Sequence, residues 1–170
     1  MAGKTARKER AWLSACPKRF LAASERPLVH LRQSTAVAIG GRALLFEGPP
    51  GTGKSSLALA LIDRGATLIG DDGIATAVHG GEPWAGPAPA TAGLIELRNI
   101  GIVQLPTTEA PVALVLDLRE DAPRFVEDPG SLDIEGFAIP MLAFDPRGPA
   151  AAVRAEYALR LHGLPAARTA

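Results

Sequence analysis

Gly48-Pro49-Pro50-Gly51-Thr52-Gly53-Lys54-Ser55 lies between an apolar run at residues 43–46 and a second apolar run at residues 57–62. This order predicts a strand, a phosphate-binding loop and a helix. Spaced glycines let successive backbone N–H groups point at phosphate oxygens, the lysine reaches the outer phosphates, and the serine hydroxyl can ligate Mg²⁺. The N-terminal end of the helix adds its positive dipole. We therefore predict nucleotide binding by Gly48, Pro49, Pro50, Gly51, Thr52, Gly53, Lys54, Ser55 and Ser56.

Length and composition fit a single domain with one core. The chain has 170 residues, of which 47% are hydrophobic. A chain of this length is too short for two ordinary domains. Its formal net charge is zero, so charge gives no reason to expect nucleic-acid or membrane partners. Cys16 is the single cysteine, which fits a reducing compartment. Every apolar run is shorter than the roughly 18 residues of a membrane span. We expect a cytoplasmic protein.

The first 32 residues differ from the rest of the chain in their charge. Residues 1–32 carry eight basic and two acidic residues, and they are predicted to form a basic, loosely structured segment with one short helix around residues 12–23. Residues 13–16 resemble a lipoprotein cleavage box, but the apolar stretch before them is too short for a signal peptide. We predict that the domain spans residues 33–165 and that residues 166–170 form a tail.

Apolar periodicity predicts the remaining elements of the domain. Residues 35–40 and 43–47 read as a hairpin around Gly40-Gly41, and a helix follows from Lys54 to Asp63. Residues 79–93 are rich in Gly and Pro and read as a surface loop. Further strands are predicted at residues 66–69, 94–98, 101–105, 112–117, 125–126, 134–139 and 141–144, and a packing helix at residues 150–161. The set predicts an α/β fold in which a P-loop-containing mixed β-sheet has flanking helices.

Two acidic positions compete for the magnesium ion. Asp71 and Asp72 follow the strand at residues 66–69 directly, where open α/β sheets place ligand chemistry. The alternative is a plain Asp-Gly turn between two strands. Asp117 ends the unbroken apolar run at residues 112–116, which is the form of a Walker B strand. The residues alone leave both positions open.

Three further sequence segments, taken together with the phosphate loop, indicate one protein family. The phosphate loop is followed by Leu-Ala-Leu-x-Leu-Ile-Asp-Arg-Gly-Ala at residues 57–66, by Asp71-Asp72, and by Glu-Leu-Arg-x-x-Gly-Ile-Val at residues 96–103. In this order the segments resemble the C-terminal catalytic domain of the HPr kinase/phosphorylase family, in the short alphaproteobacterial form that lacks the N-terminal domain. The resemblance covers residues 35–161. It implies a fold related to phosphoenolpyruvate carboxykinase.

In that family ATP phosphorylates a serine of the phosphocarrier protein HPr, and longer members also remove the phosphate. The resemblance implies that Lys54 contacts the β and γ phosphates, and that Ser55 and Glu96 hold Mg²⁺. It also implies that the pair Asp71-Asp72 supplies the catalytic base. The implied cofactors are ATP and Mg²⁺, and the implied partner is an HPr-type protein. Longer relatives form hexamers, which makes a homo-oligomer a prediction for this chain.

The sequence departs from the family pattern at three positions. The family's catalytic histidine falls on Gln33, which can form hydrogen bonds but cannot carry a proton at neutral pH. Ser56 replaces an acid, and Asn99 replaces a glycine. His30 could replace the histidine only if the strand register shifted. These departures favour an alternative, a non-catalytic or weakly active ATP-binding regulatory domain. A generic P-loop ATPase ranks below both.

Overall fold

The computed structural model describes residues 29–166, and Cys16 and the predicted helix around residues 12–23 lie outside them. Within the described part of the chain there are eleven strands and two helices. Their bounds are β1 His30–Arg32, β2 Thr35–Ile39, β3 Arg42–Glu47, α1 Lys54–Asp63, β4 Thr67–Gly70, β5 Ile74–His79, β6 Glu82–Pro87, β7 Leu94–Leu97, β8 Gly101–Gln104, β9 Ala110–Leu118, β10 Gly130–Ile134, β11 Phe137–Phe144 and α2 Ala151–His162.

Nine of these strands form one curled mixed sheet. Its main path runs β1-β5-β6-β9-β3-β2-β4, and β11 joins β9 with β10 on its outer side. β9 pairs in parallel with β3 and β11 and antiparallel with β6, so it is the strand that connects all parts of the sheet. β7 and β8 form a separate hairpin. The predicted fold class is therefore confirmed.

The hairpin before the phosphate loop is formed as the sequence predicts. β2 and β3 pair from Thr35↔Phe46 to Ile39↔Arg42. Gly40 and Gly41 turn the chain with φ of 56° and 74°, values that glycine adopts without steric cost. β3 is buried along its middle and ends where the loop begins, so the loop is anchored to the centre of the sheet.

Alternating residues of β3 divide the core into two layers. Leu44 and Phe46 face the side on which both helices pack, together with Leu57, Leu61 and Leu159. Ala43 and Leu45 face the opposite side, together with residues of the other sheet strands such as Ile69, Ile74, Val115 and Ile139. Both helices therefore cover one face of the sheet, and the curled sheet covers its own other face. No helix within residues 29–166 is long and apolar enough to cross a membrane.

Some of the predicted elements are wrong. Residues 82–87, predicted as part of a surface loop, form β6, which pairs with β5 along its whole length. Residues 125–126 lie outside any strand. The predicted strand at residues 134–139 is interrupted by the turn at Glu135 and Gly136, where φ is positive. His30–Arg32, assigned to the loose N-terminal segment, forms β1 and pairs with β5.

Candidate active site

The phosphate loop has the backbone that its glycines predict. Gly48, Gly51 and Gly53 have φ of 130°, 83° and 94°, conformations that residues with a Cβ rarely adopt. A Cβ on Gly48 would lie 2.8 Å from the carbonyl oxygen of Leu118, so this position also allows a close approach to the end of β9. Thr52 Oγ1 donates to the carbonyl oxygen of Pro49 at 2.9 Å. The loop is therefore a compact turn that leads directly into α1.

Lys54, the first residue of α1, extends back along the loop. Its ammonium group donates hydrogen bonds to the carbonyl oxygens of Gly48 at 2.8 Å and of Pro49 at 3.0 Å. The residue is only 9% exposed. The positive charge is thus held over the first turn of the loop, where the outer phosphates of a nucleotide would meet it.

Asp71 is the centre of the polar contacts on one side of the loop. It is 7% exposed, and its Oδ1 accepts hydrogen bonds from Ser55 Oγ at 2.8 Å and from Thr35 Oγ1 at 3.0 Å. The carboxylate thereby connects the start of α1 to the start of β2. Hydroxyl and carboxylate oxygens are the ligands that Mg²⁺ prefers, so Ser55 and Asp71 together fit a magnesium site.

Asp72 differs from its neighbour in exposure and in backbone conformation. It is exposed, its φ is 55°, and its backbone N–H donates to Thr35 Oγ1 at 3.3 Å. The turn is so tight that a Cβ on Gly70 would collide with the carbonyl oxygen of Gly73. The segment is thus a turn between β4 and β5, as one of the two alternatives predicted, and it also brings the Asp71 carboxylate to Ser55.

Asp117, the competing acid, lies near the end of β9. It is paired in register with Glu47, and its Oδ2 lies 3.7 Å from Nε of Arg119. Glu47 in turn accepts a hydrogen bond from Arg32 Nε at 2.7 Å. Asp71, and not Asp117, is the acid whose carboxylate is hydrogen-bonded to the loop serine.

Glu96 lies on the β7–β8 hairpin, which contacts α1. Its side chain is exposed, and it is paired in register with Ile102. Across residues 29–166, no three His, Cys, Asp or Glu side chains converge into a metal-binding group, so the structure does not bring Glu96 together with both aspartates. Asn99 has φ of 64° at the hairpin turn. Asparagine tolerates this conformation, so the departure from glycine preserves the backbone.

Gln33 and His30, the two candidate positions for the family's histidine, have different surroundings. Gln33 is exposed in the two-residue link between β1 and β2, two residues before Thr35. His30 belongs to β1, where its Nδ1 lies 2.7 Å from Oε2 of Glu135, and Oε1 of Glu135 accepts a hydrogen bond from Thr76 Oγ1 at 2.6 Å. β1 is paired in register at all three residues. His30 therefore interacts with the β10–β11 turn and not with the aspartates.

A cleft opens on the other side of the loop. Its volume is about 530 Å³, and its lining includes residues 50–53 of the loop, the outer surface of α1, and the segment 146–152. Arg147 holds this segment together: it donates to Asp145 from its backbone N–H and its side chain, and to Glu120. Hydrogen bonds from the side chain and the backbone of Arg147 lower the pKa of Asp145 from 3.8 to about 2.

Two parts of the site were missed from the sequence. Thr35 connects both aspartates, yet a threonine at the start of a strand carries no local signal for this. Arg147 follows Asp145 and Pro146 in an ordinary turn sequence, and its distant partner Glu120 becomes adjacent only in the fold. Both contacts depend on chain segments far apart in sequence.

Known proteins are similar to parts of this chain in sequence and fold. The family profile described as HPr Serine kinase C-terminal domain matches residues 27–108. The HPr kinase/phosphorylase of Mycoplasmopsis pulmonis is 39% identical over 72 residues, which cover 42% of this chain and 23% of that protein. The HPr kinase/phosphorylase of Streptococcus thermophilus is 37% identical over 83 residues, covering 48% and 26%. The matched segments span about a quarter of these relatives' length.

A solved structure agrees over a larger part of the chain. The Hpr(Ser) kinase/phosphatase of Coxiella burnetii superposes with a TM-score of 0.70 at 26% identity, covering 78% of this chain and 90% of the solved one. The sequence match includes the phosphate loop, the aspartate pair and Glu96, and the structural match covers more of the chain than the sequence match. Residues 27–108 of this chain therefore match the profile of the HPr kinase C-terminal domain, and the predicted resemblance to the HPr kinase/phosphorylase family is confirmed.

Proposed function

We propose that the chain is an ATP- and Mg²⁺-dependent serine kinase whose acceptor is an HPr-type phosphocarrier protein. The observation that carries the proposal is the hydrogen bond of 2.8 Å between Ser55 Oγ and the buried carboxylate of Asp71. It unites the hydroxyl and the acid that a phosphoryl-transfer site needs beside its loop. The relatives that match this part of the chain are named HPr kinase/phosphorylase.

The described residues fit ATP and magnesium. The positive-φ glycines leave the loop backbone open to phosphate oxygens, and Lys54 lies over the first turn of the loop. Ser55 and Asp71 would hold Mg²⁺, and the family resemblance adds Glu96 as a further ligand, which its exposed side chain would have to supply by moving towards them from the neighbouring hairpin. The ion supplies charge stabilisation for the transferring phosphoryl group. Lys54 would exchange its carbonyl partners for the β and γ phosphates.

We assign the role of base to Asp72. The Oδ1 of Asp71 already accepts two hydrogen bonds, whereas Asp72 is exposed beside it and its backbone is fixed through Thr35. The acceptor serine oxygen forms a bond to the γ phosphorus as the bond to the β–γ bridging oxygen breaks. ADP leaves, and the serine proton passes to the Asp72 carboxylate and then to water.

Gln33 favours a second candidate, a regulatory domain that binds ATP without transferring phosphate. The link before β2 would place a family histidine two residues from Thr35, and glutamine there cannot accept a proton. Under the kinase proposal the Asp72 carboxylate takes the serine proton without that help. Under the second candidate ATP binding persists while transfer stays at background.

Transfer of radioactive phosphate from ATP to a purified HPr-type protein tests the proposal. We expect labelling of the acceptor serine by the full chain and loss of labelling in Lys54→Ala. Asp72→Asn is the sharper variant, because asparagine also tolerates the positive φ at this position. It should keep ATP-Mg²⁺ binding, seen as a rise in Tm, and lose transfer. If the full chain binds ATP but labels no acceptor, the regulatory candidate replaces the kinase.

The remaining expectations stay predictions. A cytoplasmic location and a homo-oligomeric state are still predictions, and so is a domain over residues 33–165, although β1 extends the sheet to residue 30.

A further inference from the structure

We propose that the cleft between α1 and the segment 146–152 binds the nucleoside half of the nucleotide. The inference rests on the proposed binding of ATP at the phosphate loop and adds where the base and the ribose lie. A cleft of about 530 Å³ is within the range of small-molecule sites. The proposed occupant is a nucleoside whose phosphates are held by the loop.

The cleft is continuous with the loop. Pro50, Gly51, Thr52 and Gly53 belong to the phosphate loop and also line the cleft. A triphosphate held by the loop N–H groups therefore has one end at this opening. The far wall is formed by Pro146 and Pro149 and by the first turn of α2. The cleft beside the loop thus has a wall on each of two sides.

Helix geometry gives the triphosphate a direction. Ser55 faces Asp71 at 2.8 Å, whereas Ser56 and Ala60 line the cleft. Residues of an α-helix are about 100° apart, so Ser56 and Ala60 lie roughly 100° and 140° around α1 from Ser55. The transferable phosphate belongs beside Asp71 and Lys54. The nucleoside then extends to the other side of the loop, where the cleft is.

The cleft has the chemistry of a base-binding site. Its floor is formed by apolar side chains, among them Leu57, Ala60, Ala151 and Ala152, and its rim carries Arg119 and Arg147. Guanidinium groups stack on aromatic rings and remain charged at all relevant pH values. Arg147 is fixed by Asp145 and by Glu120, whose Oε2 lies 3.1 Å from its Nη1. A planar cation beside an apolar floor favours a stacked base.

Filling the cleft tests the inference without using turnover. Ala60 is exposed on α1 and lines the cleft, so Ala60→Phe adds a ring there with little effect on the core. Binding of Mg²⁺-ATP and of Mg²⁺-tripolyphosphate is measured by calorimetry. We expect the variant to lose roughly tenfold or more in ATP affinity and to bind tripolyphosphate as the unchanged chain does. Leu59→Phe is the matched control, since Leu59 is exposed on α1 but lies outside the cleft.

The outcomes separate this inference from the proposed function. Unchanged ATP affinity in Ala60→Phe overturns the nucleoside assignment, and leaves the kinase proposal standing if transfer persists. Equal affinities of the unchanged chain for ATP and tripolyphosphate also overturn it, because the nucleoside would then contribute nothing. If Ala60→Phe binds ATP normally but no longer phosphorylates the acceptor, the cleft belongs to the acceptor protein and the inference is wrong.

Discussion

Asp71 and Asp145, on the two sides of the candidate site, are held in opposite ways. Asp71 is buried and accepts hydrogen bonds from two neutral hydroxyl groups. Asp145 lies on the cleft side, where its carboxylate is paired with Arg147 at 2.9 Å. One carboxylate is fixed by burial and short neutral contacts, and the other by a charged partner at the surface.

The difference separates a chemical role from a supporting one. A buried acceptor with hydroxyl donors has a fixed geometry, and removing it leaves those donors without a partner. A surface ion pair is screened by water and salt, and it contributes little to stability. We therefore expect that changes at Asp71 alter both chemistry and folding, whereas changes at Asp145 mainly alter the shape of the cleft rim.

The largest expected effect is that of Asp71→Ala. The variant removes the acceptor of Ser55 and Thr35, so phosphotransfer to an HPr-type protein should fall to background. The free energy of unfolding should fall by about 1–3 kcal/mol, measured by urea denaturation. Asp145→Ala is the matched control and should retain transfer at saturating ATP, because Asp145 lies at the cleft rim and does not contact Ser55 or Thr35. Equal losses of transfer in the two variants would show that the buried contacts have no special role.

Gln33→His should raise the rate of phosphate transfer to the acceptor by roughly 10- to 100-fold. Position 33 is exposed in the link before β2, so an imidazole can be added there without displacing the core, and it supplies a group that carries protons near neutral pH. Initial rates across pH 5.5–8.5, the window roughly one to two units around the ordinary histidine pKa, measure the gain. Gln33→Asn controls for the change of side chain, and a similar gain in that variant would contradict a proton-transfer role.

Glu96→Gln tests whether an exposed acid on the β7–β8 hairpin takes part in metal binding. We expect the Mg²⁺ concentration for half-maximal transfer to rise by roughly tenfold, because a carboxylate ligand is lost. Stability should stay within about 0.5 kcal/mol, since the side chain is exposed. Asp63→Asn removes the same charge at the other end of α1 and should leave the Mg²⁺ requirement unchanged. A normal Mg²⁺ requirement in Glu96→Gln would remove Glu96 from the site.

The smallest effect concerns pH. The pKa of Asp145 is lowered in the folded state, chiefly by the Arg147 side chain, so the ionised form favours folding. This contribution is present above the ordinary value of 3.8 and is lost as pH falls towards about 2. Urea midpoints of Asp145→Asn should therefore depend slightly less on pH in this window than those of the unchanged chain. A large difference would mean that the rim supports the whole domain.

The sequence predicts the parts of this molecule whose signals are local. The β2–β3 hairpin and α1 follow from neighbouring residues, and both are confirmed. The loop between them has the positive-φ glycines that its sequence predicts. β6 was missed because Pro83, Gly86 and Pro87 disfavour strands, and pairing with β5 overrides that preference. The contact of Asp71 with Ser55 and Thr35 was also beyond the sequence. It requires β2, β4 and α1 to meet, which only tertiary packing decides.

The position of β9 limits how the domain can be divided. Residues 110–118 pair with β6, β3 and β11, and they contribute to both layers of the core. They begin just after the family match ends at residue 108. The segment that contains the phosphate loop and the aspartate pair is therefore not an independent folding unit. Chain synthesis must pass residue 118 before the loop has the strand against which its first glycine packs.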